Sequence, residues 1–162
     1  MSLSAQLPVS NSVSSHVFRF LGIETVVRSS ASQTQGRFFM SEHLSMPPGF
    51  SSPYHTHQHE DEIFYVLDGD VAFVLDGVWT KAGPGTCVFG PRSIAHGFQV
   101  VGHSPARMLL MTTPGRFEEF MNELAAPADA PLTPPDLGWV VEVASRYGIE
   151  IHGPLPPLPD SL

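Results

Sequence analysis

His55 and His57 stand two residues apart, Glu62 follows five residues after the second, and His96 lies further along behind a proline. Side chains at i and i+2 of a strand point to the same side, so His55 and His57 can reach one ion without distorting the backbone. Imidazole nitrogens with a single carboxylate suit a divalent first-row transition metal. Three or four such ligands leave positions open to water, O2 or a substrate oxygen on an ion that prefers five or six. Open positions point to catalysis more than to a purely structural ion. The alternative is a set of core histidines without an ion, which needs a hydrogen-bond partner for every buried polar atom.

These residues need strands to hold them. The chain has 162 residues, of which 42% are apolar and only 15% charged, with 16 Pro and 14 Gly. That is enough apolar surface for one core, with many turns and few charged helical faces, and it points to an all-β domain. HVFRFL, IETVVRS and GRFFMSEHLSM read as strands. Asp68-Gly69 and Asp76-Gly77 read as two-residue hairpin turns separating EIFYVL, DVAFVL and VWTKA. TCVFG, AHGFQVV and ARMLLMTT continue what reads as an antiparallel meander, expected of a barrel or sandwich. After Pro114 the pattern changes. RFEEFMNEL places Phe117, Phe120, Met121 and Leu124 at helical spacing, and LGWVVEVASRY reads as a second helix facing the body with Leu137, Val140, Val141 and Ala144. The expected division is a flexible segment 1–15, a β-barrel 16–114, and a C-terminal helical extension 115–162 ending in the Pro-rich PLPPLPDSL, read as a disordered tail or a surface strap.

The net charge of −8 argues against binding nucleic acid or an anionic membrane. Neither a basic start with an apolar h-region nor an apolar run near ~20 residues is present, so the expected location is cytoplasmic. Cys87, the single cysteine, excludes an intrachain disulfide and reads as buried packing.

The segment from Gly49 to Gly69 resembles the first motif of the cupin superfamily, G(X)5HXH(X)4E(X)6G, at Gly49, His55, His57, Glu62 and Gly69. The second motif, G(X)5PXG(X)2H(X)3N, is matched by Gly85, Pro91 and His96. Ser93 replaces its second Gly and Val100 its Asn. Ser93 implies that the turn does not demand positive φ there, or that it has shifted. The resemblance spans about residues 36–113. It implies a small double-stranded β-helix (jelly-roll) barrel with one or two C-terminal helices. It also implies one divalent transition metal (Fe, Ni, Co, Mn or Zn) held by His55, His57, Glu62 and His96. His59 is an alternative ligand only if the strand continues past His57. Glu60 and Asp61 read as solvated loop charges, or as a hydrogen-bonding partner that orients a ligand histidine.

His43, Tyr54, Phe39, Phe73, Phe98, Met108 and Met111 are candidates for the substrate pocket, while His16, His103 and His152 read as surface residues. The pattern together with PGRFEEFMNEL and RYGIEIHGP resembles single-domain quercetinase-like cupins. That resemblance implies a metal-dependent dioxygenase of enolisable phenolic, flavonol-like substrates, with Glu62 as ligand and proton acceptor. A zinc-dependent polyketide cyclase and a non-catalytic small-molecule-binding module are the alternatives. A homodimer is expected from the same resemblance, pairing through an outer face that carries Ile63, Tyr65 and Leu67.

Overall fold

The computed structural model describes residues 17–131 and 135–162. The N-terminal segment expected to be flexible, His16, and the start of the Pro-rich turn at Pro134 lie outside the described residues. In chain order the first elements are β1 (Val17–Phe20), β2 (Ile23–Ser29), β3 (Phe39–Met46), β4 (Tyr54–His57), β5 (Asp61–Asp68) and β6 (Val71–Leu75). There follow β7 (Val78–Ala82), β8 (Cys87–Gly90), β9 (His96–Val100) and β10 (Ala106–Thr113). The chain continues through α1 (Phe117–Glu123), β11 (Ala125–Pro127), α2 (Leu137–Arg146) and β12 (Ile149–Gly153).

The strands form two antiparallel sheets, of order β11-β1-β2-β3-β10-β5-β8 and β12-β4-β9-β6-β7. The expected all-β fold with two C-terminal helices is therefore what forms, but the chain is not a meander. Asp76-Gly77 does close a hairpin: both residues have positive φ (46° and 77°), and Leu75 pairs with Val78. Such a turn matches the twist of the flanking strands. Asp68-Gly69 does not, because β5 and β6 lie in different sheets and the turn carries the chain across. Gly69 is needed there twice over. Its φ is 78°, and a Cβ would stand 2.7 Å from Ala106 Cα. Crossing connections of this kind turn two sheets into a jelly roll.

The core lies between the sheets, where alternate residues meet. On β5 the inward set is Glu62, Phe64 and Val66, and on β9 it is His96, Phe98 and Val100, with Gly97 also buried. Phe39, Met46, Phe73 and Met108 are among the residues buried at the centre. The segment after Pro114 is not a separate appendage. β11 pairs with β1, and β12 pairs with β4, so it completes both sheets. α2 buries Val140, Val143 and Ala144. Leu137 (73% exposed) and Val141 face outward, contrary to the expected phase, because the inward face runs through Val143. Asp136 caps the helix by accepting from the Trp139 N–H, which removes one of its unpaired donors.

Cys87 is exposed rather than packed. β8 is the edge strand of its sheet, and its alternation turns Cys87 and Phe89 outward and Gly90 inward. Among the described residues no helix is long and apolar enough to cross a membrane.

Candidate metal centre

The four residues come from both sheets. His55 and His57 share one side of β4, and His55 pairs directly with His96 on the neighbouring β9. Glu62 enters from β5 in the opposite sheet. One ligand atom from each of the four lies within 4.8 Å of the others. The Nε2 atoms of His96, His57 and His55 stand 2.6, 3.3 and 3.7 Å from Glu62 Oε2.

The ring protons can be placed from the partners. His55 Nδ1 donates to Pro53 O and His96 Nδ1 to Ile94 O, each at 2.8 Å. Both partners are carbonyl oxygens, which only accept. His57 Nδ1 donates to the Glu60 carboxylate at 3.3 Å. In its neutral form, the one that binds a cation, each ring then presents an Nε2 lone pair to the centre. In that form three lone pairs and a carboxylate oxygen converge on one point, which a proton on His57 Nε2 or a cation can occupy. A cation satisfies all four at once, so the donor set fits a divalent ion. Among the described residues His57 Nε2 is fully buried and has no hydrogen-bond partner, a costly arrangement unless an ion takes it.

The electrostatics draw positive charge to the same point. Burial disfavours the charged form of His57, yet Glu62 and Glu60 outweigh it and raise the group to about 9. Burial likewise opposes ionisation of Glu62, and His57, His55 and His96 overcome it and hold the carboxyl well below its ordinary range. Burial, with His57 and His96 as neighbours, lowers His55 despite Glu62.

Residues 42–112 match the family model of the cupin domain. The chain carries a cupin domain. The fold agrees: with 18% identity, KdgF from Halomonas sp. superposes with a TM-score of 0.60 over 69% of this chain and 97% of its own. An RmlC-like cupin from Shewanella frigidimarina does so with a TM-score of 0.59 at 17% identity, over 68% and 94%. At these identities the likeness concerns the double-stranded β-helix alone. Quercetin 2,3-dioxygenase of Bacillus subtilis (strain 168) is 28% identical over 101 residues, 62% of this chain. That stretch is 29% of the dioxygenase's length.

Around the cupin centre, polar side chains fix the loops. Glu60 is buried against His57, so it is not a solvated loop charge. Asp61 grips Arg92 with contacts of 2.8 and 3.1 Å and also accepts from the Arg92 N–H. The side-chain hydrogen bonds from Arg92, above all, lower the Asp61 carboxyl to about 2. This clamp ties the bend between His57 and Glu62 to the loop that leads to His96. Ser93 N–H donates to His57 O at 2.7 Å. Ser93 has a φ of 65°, so the turn does demand positive φ, and a serine adopts it. Glu60 and Arg92 could have been singled out from the sequence only as charges near a ligand motif.

His59 is exposed and outside the cluster. The chain bends after His57, and the His59 ring packs over Gly148, where an added Cβ would stand 2.7 Å from it.

Beside the four polar residues lies an apolar chamber of about 70 Å³, walled by Phe20, Phe64, Phe98, Leu110, Phe117 and Val140. His43 also lines it. Of the pocket candidates, His43 and Phe98 reach the chamber and the others do not. Phe39, Phe73 and Met108 are buried deeper in the core. Met111 sits on the opposite face of β10, where Leu110 points inward instead. Tyr54 precedes His55 on the strand and therefore faces away. Its hydroxyl accepts from Gly77 N–H at 3.2 Å and its ring packs on His152. Leu21, Phe50, Val140 and Ile151 are shared with an outer groove of about 610 Å³.

His43 is held neutral. Burial lowers it to about 4, against the pull of Glu62.

Proposed function

We propose that this cupin is a metal-dependent enzyme, a dioxygenase acting on an enolisable phenolic or flavonol-like small molecule. One observation carries the reading. The His55–His57–Glu62–His96 set stands at the inner end of an apolar, phenylalanine-lined chamber whose outer groove falls in the ~300–1,000 Å³ range of small-molecule sites. An aromatic ligand would place its reacting end in the chamber and its body in the groove. The distant likeness to a quercetin 2,3-dioxygenase supports the choice of substrate class.

The four residues would hold one Fe, Ni, Co, Mn or Zn ion, which supplies Lewis acidity and, when redox-active, electron transfer to O2. Glu62 has the second role. Its Oε2 faces the three histidines, while no hydrogen bond to Oε1 occurs among the described residues. Oε1 would accept the proton of a substrate hydroxyl, leaving the substrate as its oxyanion. A carboxylate among positive charges is a weak base, so a shared hydrogen bond with that hydroxyl must precede the transfer. The apolar walls exclude bulk water from the oxyanion.

The exposed outer face of Tyr65, Cys87 and Phe89 on β5 and β8 supports a homodimer built at that edge. Light scattering that returns a monomer removes the dimer.

The test of the activity is O2 consumption. Stripped protein is reloaded separately with Fe²⁺, Ni²⁺, Co²⁺, Mn²⁺ and Zn²⁺ and offered a panel of flavonols and related phenols. Uptake that needs a redox-active ion and is lost in His96→Ala supports the dioxygenase. Wild-type turnover by a metal-loaded Glu62→Gln variant removes the proton-acceptor role. Absence of uptake with every ion shifts the reading to a zinc-dependent polyketide cyclase or to a small-molecule-binding module.

A further inference from the structure

The chamber has one polar side chain that neither the ion nor the fold uses up. Ser52 lines it too, but the Ser52 hydroxyl donates to Pro53 O and accepts from Phe98 N–H. His43 differs. Its Nδ1 lies 3.0 Å from Thr25 Oγ1, and Thr25 Oγ1 donates its only proton to Ile23 O at 3.0 Å. Thr25 must therefore accept from His43, which places the ring proton on Nδ1 and leaves Nε2 a bare acceptor. No hydrogen bond to Nε2 occurs among the described residues. The ring lies parallel to Phe20, at an interplanar angle of 7°, so packing and hydrogen bonding both fix its plane.

We propose that His43 is a specificity-determining residue of the chamber: its Nε2 accepts the O–H or N–H of an aromatic ligand whose other polar group is held at the His55–His57–Glu62–His96 centre. The placement rests on the proposed metal centre, not on the dioxygenase activity. The chemistry assigns different work to His43 and Glu62. A ring that burial keeps neutral orients a donor without removing its proton, whereas Glu62 is the anion. Ligands with a second donor are preferred over the same skeleton methylated there, because an ether oxygen facing Nε2 sets two acceptors against each other.

The experiment uses the full chain loaded with Zn²⁺, which brings no redox chemistry. Long-range ¹H–¹⁵N spectra read the His43 tautomer directly, and titrations with resorcinol and 3-methoxyphenol, which share one hydroxyl for the centre and differ only in the second oxygen, give the two Kd values. The expected result is a neutral ring with bare Nε2 and a preference for resorcinol on the order of fivefold. In His43→Phe, which keeps a ring against Phe20, the preference falls to near one. In Thr25→Val the histidine stays but its Nδ1 proton is no longer anchored, and the spectrum shows a mixture of tautomers. A proton found on Nε2 of the wild-type ring overturns the proposal, as does a resorcinol-to-3-methoxyphenol ratio unchanged in His43→Phe. If the ratio collapses as expected while no metal-loaded form consumes O2 with any flavonol, His43 keeps its role and the dioxygenase reading falls.

Discussion

His57 Nδ1 donates across 3.3 Å to Glu60, a carboxylate buried only three residues further along the chain. The contact holds the ring with Nε2 turned to Glu62 and makes that nitrogen a better donor to a cation. Partners of this kind contribute roughly 10- to 100-fold in metal affinity. Glu60→Ala is expected to weaken Zn²⁺ or Co²⁺ binding by about that factor, measured by competition with a chelating dye. Glu60→Gln keeps an acceptor oxygen and loses the charge, so its loss is smaller. Chelation of wild-type protein is expected to lower its Tm in a thermal melt, since an ion at 100 times its Kd contributes about 2.7 kcal/mol to stability. The same treatment has little effect on His57→Ala.

Ser93 carries a φ of 65° in the loop tied to His57 O and leading to His96. A residue with a Cβ is disfavoured there by roughly 1–2 kcal/mol, and glycine is not. Glycine also gains more freedom in the unfolded chain, which offsets part of that gain. Ser93→Gly is therefore expected to stabilise the protein by about 0.5–1 kcal/mol, seen as a rise in Tm, with metal affinity unchanged. A fall in Tm would show that the serine hydroxyl supports the turn in some other way.

The centre was legible where its geometry is local. Two histidines at i and i+2, and a glutamate at the start of an apolar strand, need no knowledge of pairing partners. The remainder depended on contacts distant in sequence. Asp68-Gly69 has the same turn chemistry whether the chain returns within its sheet or crosses to the other. On β10 the alternation runs unbroken through Ala106, Met108 and Leu110, so Leu110 and not Met111 walls the chamber, a phase that only packing between the sheets reveals. Cys87 sits in an apolar run, but only the strand order shows that β8 is an edge. The α2 phase turned on Val143, which no turn signal marks. Thr25 and His43 are eighteen residues apart, and only the pairing of β2 with β3 reveals their contact.

Glu42 is buried with two arginines: Arg28 Nε stands 2.6 Å from one oxygen and Arg107 contacts the other. Burial acts to raise its pKa, but Arg28 and Arg107 outweigh it and the net shift is downward from 4.5. A carboxyl lowered on folding stabilises the protein fully above its unfolded value, and that contribution fades as pH falls through the folded value. Glu42→Gln is expected to cost about 2 kcal/mol near neutral pH, less than the ~3–5 of a fully buried pair because Arg107 is half exposed. In urea titrations the gap between variant and wild type should hold down to about pH 5 and narrow below pH 4.5. A gap independent of pH would assign the loss to packing and not to charge.

β12 backs the strand that carries two of the four histidines, with Ile149 opposite His57 and Ile151 opposite His55. Ile149 is buried, and Gly148 lets the chain turn out of α2 with a φ of 72°. Ending the chain after Tyr147 removes this ladder and the buried isoleucine, a loss of about 3 kcal/mol or more from a total that is typically ~5–15. It also leaves β4 as a sheet edge, free to shift His55 against His96. Ending the chain after Gly153 removes only the Pro-rich strap, in which Leu155 packs over Gly97 on β9, at about 1 kcal/mol. The shorter chain is therefore expected to lose both its cooperative unfolding transition and its Zn²⁺-dependent rise in Tm. The longer one keeps both with a slightly lower Tm. Equal behaviour of the two truncations would show that β4 holds its histidines in place without β12.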